Sequence, residues 1–253
     1  MRIIGLIFGI LIAWPSLSVQ NESFVTNLLS SDYKAAVDTI ISNRTNLQQL
    51  LQAAISDQKE DSTLHRLNKL SREVSNISPE AHQVLAQAVL DISLIHRDTA
   101  NILMAHSNLA YALVNEGNYE EALKFYYNKL NYEEARGAVV SRVYNDIGNA
   151  YYMMNDYENS LKYLRKYLNL GIERGDSVLI CTAYLNISNP FYDLGEWDSS
   201  MIYLQKSLTI SSSFGERIVE SYALGNIASM YVEVGDNQKA LDYQLRGLAI
   251  EKE

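Results

Sequence analysis

The second half of this chain repeats itself, and the repeat limits what it can fold into. Four segments carry one pattern: Asn108-Leu-Ala-Tyr-Ala-Leu…Gly117-Asn-Tyr-Glu-Glu-Ala122-Leu, Asp146-Ile-Gly-Asn-Ala-Tyr…Asn155-Asp-Tyr-Glu-Asn-Ser160-Leu, Asn186-Ile-Ser-Asn-Pro-Phe…Gly195-Glu-Trp-Asp-Ser-Ser200-Met and Asn226-Ile-Ala-Ser-Met-Tyr…Gly235-Asp-Asn-Gln-Lys-Ala240-Leu. A small residue recurs at Ala122, Ser160, Ser200 and Ala240, a period of about 40 residues. Self-similarity at such a period marks units that cannot bury their apolar faces alone and stack on their neighbours. It implies a solenoid rather than a single globular core.

Each unit reads as two amphipathic helices. In the second copy Tyr144, Ile147, Gly148 and Tyr151 share one helical stripe, at i, i+3, i+4 and i+7. Ser160, Leu161, Tyr163, Leu164, Tyr167 and Leu168 form a second stripe after a short turn. The turn carries Gly117, Asn155, Gly195 or Gly235, residues that tolerate the left-handed conformation ending a helix. The Asn, Glu or Asp after each can cap the next helix or sit in its acidic first turn. Ala110, Gly148, Ser188 and Ala228 on the first helices face Ala122, Ser160, Ser200 and Ala240 on the second. Small side chains at both places allow close approach.

These residues resemble the tetratricopeptide repeat, whose pattern runs aromatic, Leu-Gly, Tyr, Ala, Phe, Pro. The large aliphatic is Leu109, Ile147, Ile187 and Ile227; the Tyr position holds Leu113, Tyr151, Phe191 and Tyr231; the Phe position holds Tyr126, Leu164, Leu204 and Gln244. The closing Pro is missing, and the spacing exceeds the usual ~34 residues. Both departures imply longer second helices. They resemble the long-repeat subclass found in kinesin light chains and in bacterial signalling proteins. The resemblance covers residues 98–253 and implies an all-α, right-handed superhelical solenoid of antiparallel helix pairs. Four repeats are expected, at about 98–136, 137–175, 176–215 and 216–253.

Residues 19–97 are expected to form a helical N-terminal region with a degenerate repeat around 62–96. Candidate helices run from about 33 to 58, 62 to 76 and 79 to 96. Ser78-Pro79-Glu80 is a start signal, with Pro at the first helical position. Met1-Arg2 and the apolar run from Ile3 to Trp14 read as a signal peptide over residues 1–18. The expectation is an exported chain, periplasmic or secreted, with an uncleaved membrane anchor as the alternative. At the other end Leu241, Leu245 and Leu248 present an apolar stripe with no following helix to cover it. A continuation of the chain into a transmembrane and output domain, self-association or a bound partner would each cover it.

Equivalent positions of stacked units form rows. Asn108, Asp146, Asn186 and Asn226 make one row, with Asn145 beside Asp146; Tyr111, Asn149, Asn189 and Ser229 follow one turn on. Tyr152 and Tyr192 lie on the same stretch. The resemblance implies that Asn at this place lines a concave groove and grips the backbone of an extended peptide, a job that suits amides because each both donates and accepts. The other reading is that these Asn side chains brace adjacent helices. The expected groove set is Asn108, Tyr111, Asn145, Asp146, Asn149, Tyr152, Asn186, Asn189, Tyr192 and Asn226. Pro190 falls inside a first helix, where it removes the bond to the Asn186 carbonyl and is expected to bend the helix.

Other chemistry finds no support. A net charge of −9 argues against nonspecific binding to nucleic acid or anionic membrane. The four histidines, His65, His82, His96 and His106, include no i, i+4 pair for zinc, and Cys181 is the single cysteine. Most of the 18 tyrosines hold repeat-core positions. No phosphate-binding loop or nucleophile elbow occurs. The chain therefore reads as a non-catalytic scaffold without cofactor or metal that binds a protein or peptide segment. It is expected to be the exported sensory or interaction region of a bacterial signalling protein, or else a self-contained exported adaptor.

Overall fold

Helix ends in this chain follow its turn residues. The computed structural model describes residues 24–30, 32–55, 60–135 and 142–252, which form helices joined by turns, with no strand among them. The expected signal peptide lies outside the described residues. The first helices are α1 (24–30), α2 (Tyr33–Ser42) and α3 (Leu47–Ile55). A single helix was expected over 33–58, but a turn at 43–46 divides it. The Asn43 amide there donates to the Thr39 carbonyl at 2.8 Å. Short polar side chains that bond their own backbone compete with helix continuation, and the run from Ser42 to Asn46 holds several.

Five helix pairs follow: α4 (Glu60–Val74) with α5 (Pro79–His96), α6 (Thr99–Asn115) with α7 (Tyr119–Ala135), α8 (Arg142–Met153) with α9 (Tyr157–Arg174), α10 (Ser177–Asp193) with α11 (Trp197–Phe214), and α12 (Arg217–Glu233) with α13 (Asn237–Lys252). Gly117, Gly195 and Gly235 close first helices at φ of 76°, 75° and 78°, and Asn155 does the same at 58°. This is the left-handed region, where Gly carries no Cβ penalty and Asn a small one. Capping is as local as the sequence suggests. Asp98 accepts from the Asn101 N–H and Asp156 from that of Asn159, both at 3.1 Å. Ser78 caps α5 through the Ala81 N–H at 3.1 Å. α10 runs on through the buried Pro190 to Asp193.

The helices divide into two compact units, with the boundary inside α7 between Lys129 and Leu130. In the first, α2 and α3 pack on α5, while α4, α5 and α6 touch one another. Leu28, Ile40, Leu51, Leu67, Leu85 and Ile92 lie in its core. In the second, each pair folds back on itself, each second helix packs on the next first helix, and successive first helices also touch. That is the stacking register of a helical-pair solenoid.

The small residues act where the sequence places them. Ser188 and Ser200 are both buried, and the Ser200 hydroxyl donates to the Ser188 carbonyl at 2.9 Å. Lower in the same pair Ser207 donates to the Cys181 carbonyl at 2.8 Å. A Cβ built on Gly148 would lie 2.8 Å from Cγ of Leu164 and 3.3 Å from its backbone nitrogen. Aromatic stacks tie the pairs beside these contacts. Tyr151 meets Tyr163 at 5.9 Å, Phe191 meets Tyr203 at 5.3 Å, and Tyr231 meets Tyr243 at 5.5 Å between centroids. A further close approach was not foreseen. A Cβ on Gly171 would lie 3.0 Å from Cβ of Leu179, where α9 packs on α10. Ser211, fully buried, follows it at the same period.

At the end of the second unit Leu241, Leu245 and Leu248 are exposed. Gly225 on α12 has nothing within 4 Å of its missing Cβ. Two helical glycines therefore make opposite predictions. Gly148→Leu overpacks the α8–α9 contact and is expected to cost roughly 1–3 kcal/mol. Gly225→Ala fills open space and gains helix propensity, about 0.5–1 kcal/mol. Urea denaturation of both variants checks this; equal effects would contradict the pairing.

Candidate functional site

The ten residues expected on a groove fall in both units. Asn108 and Tyr111 belong to the first; the other eight belong to the second.

Asn108 is not available for contact. It is 7 % exposed, and its amide donates to the Asn68 carbonyl at 2.9 Å. Asn68 in turn donates to Oδ1 of Asn101 at 3.0 Å. The expectation of a groove contact is corrected here: Asn108 braces α6 to α4. The reason lies one repeat period before Ala122, where His82 takes the place of a small residue. His82 is 1 % exposed. Its Nε2 donates to the Asn108 carbonyl at 2.8 Å, and its Nδ1 lies 2.6 Å from the Ser71 carbonyl and 3.0 Å from the Ser71 hydroxyl. An imidazole bridges helices that elsewhere touch through small side chains, so the repeat at 60–96 is degenerate in sequence but paired in structure. Tyr111 is half-buried, with the Arg72 guanidinium carbon 3.5 Å from its ring centroid and the His82 ring 5.9 Å away.

In the second unit all eight residues are half-buried on the first helices. Asn186 donates to Oδ1 of Asn145 at 2.7 Å, joining α10 to α8. Asn226 donates to Oδ1 of Asn189 at 3.4 Å, joining α12 to α10. The bracing role is thus present, and it links the very residues expected to meet a peptide. Tyr152, Asn189, Tyr192 and Asn226 come together in a cleft of about 290 Å³, with Ser188, Asp193 and Ser229 among its other lining residues. Asn145, Asp146, Asn149 and Asn186 lie outside that lining. The charge of Asp146 instead acts on the buried Tyr167, whose phenol is pushed up to about 12, chiefly by burial.

Two carboxylates were missed. The Tyr152 phenol is pushed up to about 12, first by burial and then by its interaction with Asp193 on the next first helix. The Tyr192 phenol is raised by burial and by the charge of Glu233, again one repeat on. A signal existed: Tyr152 and Tyr192 share a repeat position, and Asp193 and Glu233 share the next. Among the described residues no group of His, Cys, Asp and Glu could hold a metal ion, and none of the described helices is long and apolar enough to cross a membrane.

Residues 98–172 match the tetratricopeptide-repeat family. That segment carries tetratricopeptide repeats. The same fold appears in BtubC from P. vanneervenii, at 17% identity, covering 90% of this chain and 91% of that one with a TM-score of 0.62. Aspartyl phosphate phosphatase F from Bacillus subtilis is 16% identical, covering 96% of this chain and 71% of that one, with a TM-score of 0.63. A Rap protein complexed with Competence and Sporulation Factor is 12% identical, covering 91% and 73%, with a TM-score of 0.62. At these identities the likeness is one of fold. No curated protein sequence matches the chain. The all-α class and the helix-pair solenoid are shared with these structures.

The buried histidine gives this architecture a pH dependence. Burial, aided by the nearby Arg72 charge, lowers the His82 pKa against the opposing pull of two carbonyls, and burial also lowers that of His106. The unfolded chain binds these protons first, near pH 6.5. The stability they contribute is therefore complete above about pH 6.5 and lost as pH falls through their folded values. Thermal melts between about pH 7.5 and 5.5 should show a falling midpoint, with a shallower fall in His82→Gln. A midpoint that rises on acidification would contradict the lowering by burial and point to an imidazolium held by the Ser71 and Asn108 carbonyls.

Proposed function

We propose that this tetratricopeptide-repeat protein is a non-catalytic scaffold that holds a protein or peptide segment on the first-helix face of its second unit. The observation that carries the reading is the cleft where Tyr152, Asn189, Tyr192 and Asn226 converge from three successive first helices. Carboxamides and hydroxyls at half-buried positions suit an extended backbone, whose N–H and C=O groups need partners once water is displaced. Tyrosine faces add apolar area at low entropic cost. The Rap protein with a related fold is complexed with Competence and Sporulation Factor, and a factor bound to a repeat array is the behaviour we assign to this chain.

The setting we propose is the exported sensory or interaction region of a bacterial signalling protein. Met1-Arg2 and the apolar run to Trp14 support export.

Panning the purified chain against a library of short linear peptides tests the binding reading. Selected peptides should lose about fivefold or more in affinity on Asn189→Ala, with the melting temperature unchanged. Failure to select any peptide, or peptides indifferent to Asn189→Ala, would contradict it.

A further inference from the structure

Charge is sorted between the two faces of the second unit. The first helices α8, α10 and α12 carry four carboxylates, Asp146, Asp193, Glu220 and Glu233, against Arg142 and Arg217. Both arginines are the first residues of their helices, so beyond them these helices carry only acids. The second helices show the opposite balance. Up to Ile250 they hold seven Lys or Arg against four Asp or Glu. Several of those cations are drawn to tyrosine rings: Lys166 lies 5.3 Å from the Tyr144 centroid, Lys206 lies 5.5 Å from Tyr184, and Lys239 lies 5.1 Å from Tyr231.

The cleft sharpens this sorting. Asp193 is the one charged residue in its lining. The Asp193 charge acts on the Tyr152 phenol and the Glu233 charge on the Tyr192 phenol, so each phenol feels a carboxylate of the next repeat. A carboxylate has about four acceptor sites, more than one phenol could fill. The remainder suit an ammonium or guanidinium donor. Tyrosine rings in the same lining are a surface to which a cation is also attracted. A cleft lined by one sign of charge also concentrates ions of the opposite sign. A phosphate or a peptide carboxylate would meet Asp193 with no cation in the lining to offset it.

We propose that this cleft takes a lysine or arginine side chain of the bound peptide, held by the Asp193 carboxylate and the Tyr152 and Tyr192 side chains that line it, with the Glu233 charge one repeat on adding to the negative field. The proposal rests on the peptide-binding reading and adds selection for a basic residue. The tyrosine–carboxylate pairs set the spacing of the acceptors, one repeat apart along the first helices.

Asp193→Asn with Glu233→Gln tests it, because the amides keep an acceptor oxygen for each phenol and remove only charge. The probe is an array of short neutral peptides in which each position is replaced in turn by Lys, Arg, Gln or Glu. The full chain should favour Lys or Arg over Gln at one position by about tenfold. Added salt should shrink that preference. The double variant should lose the preference while still binding the neutral peptides. Peptides bound without any basic preference, a preference for Glu, or a preference unchanged in a folded double variant would overturn the proposal and leave the peptide reading standing. Were the double variant to unfold, the salt dependence and the Lys-to-Glu ratio of the unsubstituted chain decide alone. A chain that binds none of the peptides overturns both readings.

Discussion

In the second unit a serine hydroxyl, Ser200, reaches a backbone carbonyl on the helix facing it, Ser188, at 2.9 Å. That bond exists only because both positions carry small side chains, so that helix α11 lies against the backbone of α10. The same constraint recurs at Gly148, where even one added carbon would press on Leu164. Close pairing fixes where the aromatic stacks form, and these hold each pair along one edge. It also sets the repeat-to-repeat step, which places Asn145 opposite Asn186 and Tyr152 opposite Asp193. The cleft is thus a consequence of backbone-to-backbone packing, not a separately built pocket.

Much of this was legible because stacked repeats write their contacts at a fixed period. The small positions, the left-handed turn residues and the Asp156 and Ser78 caps all stand in the structure where the pattern puts them. What the pattern hid were departures from it. His82 replaces a small residue and turns Asn108 into a buried brace, an outcome that depends on ring geometry rather than spacing. The turn after Ser42 follows from a cluster of self-bonding polar side chains within an otherwise helical run. Asp193 and Glu233 were overlooked because a carboxylate at a helix end reads as solvated until a phenol of the preceding repeat is found beside it.

The same asparagines serve packing and candidate recognition. Asn186 and Asn226 each spend an amide hydrogen on a neighbouring first helix. An amide retains a second donor and acceptor capacity, so bracing orients the group rather than consuming it. A side chain held in place before a ligand arrives loses less entropy on binding. The sorting of acids to the first helices and cations to the second gives this face a definite sign within a chain of net charge −9.

The central claim is that partners dock on the first-helix face of the second unit. Side-chain resonances followed during titration with a lysine-containing extended peptide test it most directly. The account predicts shifts in the Asn189 and Asn226 amides and in the Tyr152 and Tyr192 rings, with Trp197 and Phe214 of α11 unmoved. Shifts confined to α11 and α13, with the first-helix amides silent, would contradict it.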